Sequence, residues 1–137
     1  MSVSESVPVS VELNHLIITA LDNRVSAEFL ANILDLEVGA GWGPFIPVET
    51  TNGVRLDFAT IPQDDMALQH YAFLVSEEAF DGILGRIKES GVDFAADPQF
   101  TKPREINYNH GGRGVYFMDP AGHGMEVITQ PYGADLK

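Results

Sequence analysis

The chain has 137 residues, a hydrophobic fraction of 45% and no cysteine, which is one domain's worth of sequence with enough apolar material for a real core. Its 20 acidic residues against 8 basic ones give a formal net charge of -12; that balance repels a phosphate backbone and excludes nucleic acid as a partner, much of the charge being a solubilising surface. Lack of cysteine excludes disulfides, thiolate metal sites and Cys nucleophiles, leaving His and carboxylate as ligands; with no apolar run of membrane-spanning length and no signal-like start, a cytoplasmic location away from membranes is expected.

Residues 1–10 mix Ser, Val, Glu and Pro without periodicity and read as a flexible N-terminal tail. Leu13 to Leu21 is a predicted strand in which His15 shares a face with Leu13, Ile17 and Thr19. Asp22 or Asn23 then caps a helix whose apolar positions Val25, Phe29, Leu30, Ile33 and Leu34 follow helical spacing, ending near Leu36 and before Gly39. Gly39 to Pro47 holds Trp42 in a loop or short strand. Phe45 to Thr50 and Val54 to Thr60 flank Thr51-Asn52-Gly53, an Asn-Gly hairpin signal. Trp42, Phe45 and the later Tyr108 either wall an apolar pocket or pack in the core.

Residues 62–67 are polar and read as a linker, after which the pattern restarts. Leu68 to Val75 is a strand bearing His70. Ser76 caps a helix with Glu77 and Glu78 in its first turn and a stripe of Phe80, Ile83, Leu84 and Ile87, and Gly91 stops it. Val92 to Ala96 forms a short strand, and Asp97 to Gly114 is a long polar loop of the kind that often serves as a functional lid. Gly114 to Met118 and Met125 to Thr129 make a closing hairpin around Asp-Pro-Ala-Gly-His-Gly, whose His123 reads as exposed and structural. Glu126 stands alone among apolar neighbours in the last strand. Burying an unpaired carboxylate is costly, and metal coordination is one of the few compensations. Pro131-Tyr132-Gly133 leads out of the hairpin into a C-terminal tail, residues 132–137.

The chain therefore reads as strand, helix and three strands, twice: an α+β fold of two βαβββ modules, residues 11–61 and 68–131. A constant offset of 55 residues takes His15 to His70, Val25 to Phe80 and Phe29 to Leu84, and the segment from Gly53 to Thr60 matches that from Gly122 to Thr129, pairing Asp57 with Glu126. A duplication of this kind relates equivalent positions by a pseudo-twofold axis, so a His from each first strand and a carboxylate from each last strand are expected to converge. Two imidazoles and one carboxylate with open positions suit non-haem Fe2+ or a similar divalent ion, Mn2+, Zn2+, Ni2+ or Co2+. His15, His70 and Glu126 are the expected ligands. Asp57 is either a fourth ligand, a supporting group, or an ion-pair partner of Arg55 or Arg113. Lys102, Arg104 and Arg113 either attract an anionic substrate or balance nearby carboxylates.

Three segments carry a resemblance to a known family: Asn14-His15-Leu16, Gln69-His70-Tyr71, and the run from Gly112 through Tyr116, Asp119, Pro120 and Gly122 to Glu126, Val127 and Ile128. Over nearly all of Leu13 to Pro131 the chain resembles the vicinal oxygen chelate superfamily of glyoxalases, bleomycin-resistance proteins and extradiol dioxygenases. The resemblance implies paired modules forming a cup-shaped mixed sheet with helices on its outer face, one divalent metal, and commonly a homodimer. It assigns ligand roles to His15, His70 and Glu126, and places Asp57 at the fourth-ligand position of glyoxalase-like members. In extradiol-type members a substrate-facing Tyr precedes the Glu ligand, and Tyr116 matches it. Their catalytic His falls here on Asn107, with His110 displaced by three residues. Tyr116 and His110 are thus the expected catalytic groups, Tyr116 being alternatively plain strand packing. The expected function is a divalent-metal enzyme acting on a small substrate that chelates the metal through neighbouring oxygens, with a lean to dioxygenase-like chemistry. The alternatives are a glyoxalase-like lyase or isomerase, and a metal-free protein that sequesters a ligand in the same cup.

Overall fold

Alternating apolar residues in the strands and helical spacing between them produce two copies of one motif. A computed structural model describes residues 10–136; residues 1–9 of the predicted N-terminal tail lie outside the described residues. The first module comprises β1 (His15–Ala20), α1 (Asn23–Leu34), β2 (Phe45–Glu49) and β3 (Arg55–Thr60), and the second β4 (His70–Leu74), α2 (Glu77–Ser90), β5 (Phe94–Ala95), β6 (Gly114–Met118) and β7 (Gly124–Ile128). Their sheets run β1-β3-β2 and β4-β7-β6-β5. In each, the strand before the helix pairs parallel with the last strand, β1 with β3 and β4 with β7, and the other pairings are antiparallel. The strand expected between α1 and β2 is reduced to two isolated bridges, Val38 to Val48 and Trp42 to Phe45; the intervening Gly39-Ala40-Gly41 stretch favours turns over a longer ladder.

Both helices begin where a side chain satisfies a free backbone donor. Asp22 accepts from the Val25 N–H at 3.0 Å and Ser76 from the Ala79 N–H at 3.2 Å. α2 ends at Gly91 with φ 76°, whereas α1 ends at Asp35 with φ 57°, close to the end expected near Leu36 and before Gly39. Aspartate tolerates this left-handed position better than most residues, so a glycine is not required there.

The inner faces of both sheets and the two helices share one core. Ile18, Val48 and Phe58 from the first module meet Leu30 and Ile33 of α1, while Val115, Phe117, Met125 and Val127 meet Phe80, Ile83 and Ile87 of α2. Phe29 packs on Phe117 across the modules at 6.1 Å between ring centres, and the Arg86 Nε–H donates to the Ile33 carbonyl at 3.0 Å. With the inner faces joined in this way, the opposite faces of the sheets are turned outward. They carry His15, Ile17 and Thr19 on β1, Asp57 on β3, His70, Ala72 and Leu74 on β4, and Glu126 on β7.

His123 fastens the two modules. The hairpin-turn position suggested an exposed residue, but the ring is fully buried. Its Nε2–H donates to the Thr19 carbonyl at 2.8 Å, its Nδ1 accepts from the Gln69 N–H at 3.0 Å, and Tyr71 meets its ring edge-on. A carbonyl can only accept and an N–H can only donate, so these partners fix a neutral imidazole with the hydrogen on Nε2. Asp119 supports it by accepting from the His123 N–H at 2.8 Å. Removing the imidazole leaves two part-buried backbone groups unpaired beside a cavity. His123→Ala is therefore expected to destabilise the protein by about 3 kcal/mol, read as a lower urea midpoint with an unchanged slope.

Candidate metal centre

Register brings His70 to Glu126. In the parallel β4–β7 ladder Ala72 lies opposite Glu126 and His70 opposite Gly124, and in the antiparallel β6–β7 ladder Tyr116 lies opposite Glu126. His70, Glu126 and Tyr116 thus share one face. His70 Nε2 reaches diagonally to Glu126 Oε1 at 2.9 Å. Gly124 leaves space beside the ring: a Cβ there would meet His70 Nδ1 at 3.5 Å, an ordinary van der Waals contact.

Glu126 is only 1% exposed although it lies on the outward face. Its cover is a residue the sequence reading passed over, Tyr132. The Tyr132 hydroxyl lies 2.8 Å from Oε1 and 2.7 Å from Oε2, donating one shared hydrogen to the carboxylate. Tyr116 Oη follows at 3.3 Å from Tyr132 Oη. Burial, then the Tyr132 hydroxyl and then the Glu126 carboxylate push the Tyr116 pKa far above the ordinary phenol range. That of Tyr132 is also raised, chiefly by burial with help from the Glu126 charge. Both therefore stay protonated donors at neutral pH. The only sequence signal for Tyr132 was an aromatic residue just beyond the closing hairpin, in a segment already read as a tail.

Residues 131–136 fold back to place Tyr132. The His110 ring stacks on it at 4.7 Å and 26°, and the Gly133 N–H donates to His110 Nδ1 at 3.0 Å. His110 itself sits at φ 60° in a short turn, Asn109–Gly111. The loop leading to it is pinned by Asn107, whose side chain donates to the Ala96 carbonyl at 2.9 Å and accepts from the Asn109 N–H at 3.2 Å. Gly112 is needed where this loop crosses β7, since a Cβ would run into Thr129 Oγ1. At the position where the resemblance placed a catalytic His, Asn107 thus serves as a loop anchor, and His110 supports the segment that covers Glu126.

The first module repeats the register with different chemistry. Ile17 lies opposite Asp57, two residues after His15, as Ala72 lies opposite Glu126, two residues after His70. Asp57 is buried as well, but Arg55 answers it bidentately, Nε to Oδ1 at 2.8 Å and Nη2 to Oδ2 at 3.1 Å. His15 stays exposed against the Asn14 side chain at 2.8 Å. The structure thus joins His70 with Glu126 and Tyr116 and does not bring His15 or Asp57 to them. Among the described residues no group of three or more His, Asp or Glu side chains is positioned to hold a metal. The cationic side chains have local tasks: Arg113 bonds Glu77 and Asp81 over the face of Phe80, and Arg104 lies over Phe94. The Trp42 ring lies 4.9 Å from that of Phe45 at a tilt of 45° and beneath Arg55, and Tyr108 is solvent-exposed.

A cavity of about 320 Å³ adjoins the pair, lined by His70, Phe100, Tyr116, Met118, Met125 and Tyr132. The donor set beside it fits a divalent ion. A neutral imidazole and a carboxylate on adjacent rigid strands supply two of the three groups that a facial site uses, and the buried Glu126 charge needs a compensating partner.

No family model matches the chain. A solved structure named oxidase ChaP-H2 is 54% identical, with a TM-score of 0.89 and coverage of 93% of this chain and 99% of that one. Another, oxidase ChaP-H1, is 52% identical with a TM-score of 0.85, covering 90% and 99%. The glutathione transferase FosA of Serratia marcescens is 28% identical over 129 residues, 90% of this chain and 84% of that protein. The chain belongs to the vicinal oxygen chelate superfamily.

Because Arg55 already satisfies Asp57, Asp57→Asn is expected to lower stability by about 1 kcal/mol while leaving Zn2+ affinity unchanged by calorimetry. A tenfold loss of affinity, the scale of a damaged metal site, would instead put Asp57 at the metal.

Proposed function

We propose that this chain is a divalent-metal-dependent enzyme acting on a small organic molecule that chelates the metal through neighbouring oxygens, with oxidase- or dioxygenase-like chemistry. The observation that carries the reading is the contact between His70 Nε2 and the buried Glu126 Oε1, behind a cavity whose wall includes His70. His70 and Glu126 would hold the ion with His15, and two imidazoles with one carboxylate favour Fe2+. When bound, such an ion supplies Lewis acidity toward substrate oxygens and, as Fe2+, a means of using O₂.

The chain's own residues supply the rest. To bind through Nε2, His70 must carry its hydrogen on Nδ1, whereas facing the carboxylate it carries the hydrogen on Nε2. Tyr116 keeps its phenolic hydrogen at neutral pH and lines the cavity, so it can donate a hydrogen bond to a substrate oxygen. Phe100 and Met118 give the cavity apolar walls. A four-ligand, glyoxalase-like site is disfavoured by the Arg55–Asp57 pair. Similarity to two structures named oxidases supports the oxidative reading over a lyase or isomerase.

The third ligand is proposed to come from a second copy in a homodimer. β1 and β4 are free edges of their sheets, and the outward faces beside them are apolar yet exposed: Leu13 is 63%, Ile17 52% and Leu74 61% accessible. Apposing the first module of one copy with the second module of the other covers these surfaces and delivers His15 to His70 and Glu126.

Protein purified anaerobically without chelators is expected to contain close to one Fe, Mn, Zn, Ni or Co per chain and to be dimeric by light scattering. Glu126→Gln should lose most of that metal. Mixing the His15→Ala and Glu126→Gln proteins in equal amounts under subunit exchange should restore metal to about a quarter of all sites, because about half the dimers are mixed and one of the two sites in each regains all three ligands. No restoration would place all three ligands in one chain, and metal-free wild-type protein that divalent ions fail to stabilise against heat would leave a ligand-sequestering protein instead.

A further inference from the structure

Tyr132 places its hydroxyl against both Glu126 oxygens, at 2.7 and 2.8 Å. Those are the oxygens that a carboxylate must turn to a cation, so the phenol and an ion compete for them. The segment that carries Tyr132 is lightly held. Beyond Glu126 it is fixed by the Tyr116 hydroxyl at 3.3 Å from that of Tyr132, by the stack on His110, by the Gly133 N–H bonded to His110 Nδ1, and by two internal turns, Ala134 N–H to the Pro131 carbonyl and Leu136 N–H to the Gly133 carbonyl. It adds no residue to the core: Tyr132 is 61% and Leu136 86% exposed. Segments with few buried apolar contacts and solvent-facing hydrogen bonds open at a small fraction of the global unfolding free energy. Its other neighbour, Asp135, is 3.9 Å from His110, a distance that adds little at the surface.

We propose that residues 131–136 form a metal-displaced strap: with no ion bound, Tyr132 occupies Glu126 and closes the site, and a divalent ion at His70 and Glu126 releases the strap. The strap satisfies the buried carboxylate until an ion arrives, which keeps the site formed at the expense of affinity, because an ion binds only the fraction of molecules in which the strap is open. Its release also removes the Tyr132 wall of the 320 Å³ cavity, so metal loading and substrate access are coupled. The inference rests on the proposed metal site.

The test uses Zn2+ alone on the full-length protein. Tyr132→Phe keeps the ring that stacks on His110 and removes only the hydroxyl. It is expected to raise Zn2+ affinity roughly tenfold by titration calorimetry, the equivalent of one hydrogen bond to a charged group in a solvent-facing setting. His110→Ala loosens the strap without touching Glu126 and should shift the affinity in the same direction. In wild-type protein, amide hydrogen exchange across residues 131–136, that of Gly133 above all, should accelerate on saturation with Zn2+. Zn2+ affinity that is unchanged or lower in both variants, or exchange that is unchanged or slower in the Zn2+-bound protein, overturns the strap while leaving the metal site standing. Wild-type protein that binds no Zn2+ overturns both.

Discussion

The outward face of the second sheet depends on one buried charge. Glu126 stands in a strand whose neighbours, Met125 and Val127, belong to the core, and an uncompensated carboxylate there would cost several kcal/mol. Everything nearby serves that carboxylate. Gly124 leaves room for His70, the parallel register of β4 aims the imidazole, and the chain after β7 turns back to bring a phenol hydrogen to both oxygens. Asn107 and Gly112 then shape the loop that holds His110 under the returning segment. Under the proposed metal site, the Glu126 charge would have two ways of being satisfied, an internal donor and an external cation, and competition between them would be a physical basis for control.

The duplicated module shows how one geometry is put to two uses. Asp57 occupies the place of Glu126, opposite the residue two beyond the module's His, and is buried to the same degree. The difference is two residues upstream in the same strand. Arg55 lies there on the same face as Asp57 and closes a bidentate pair, whereas Gly124 is there for Glu126 and brings no charge. One module thus neutralises its carboxylate permanently, and the other leaves it available.

Packing decides where those faces point. The shared core and the buried His123 clamp join the modules through their inner surfaces, so the two histidine faces of a single chain are turned outward rather than toward each other. Burying both faces in one chain would require taking that core apart. A second copy would cover them at no such cost, which is what supports the proposal of a third ligand from outside the chain.

The sequence by itself determined the elements and the repeat. Apolar periodicity, the caps Asp22 and Ser76, and the turn formers at Gly53, Gly91 and Gly122 are local signals, and they read correctly because helices and strands obey short-range rules. The facing of His70 and Glu126 was legible too, since a strand's two-residue period and a duplicated frame fix which side chains share a sheet face. The tertiary structure alone decided the rest. The burial of His123 came from its place between modules, the pairing of Asp57 from a choice among possible arginine partners, and the anchoring role of Asn107 from the path of a loop. Tyr132 reached Glu126 because a chain end folded back, and the outward turn of His15 followed from how two sheets pack. Each of these depends on distances between segments far apart in sequence, which no local pattern records.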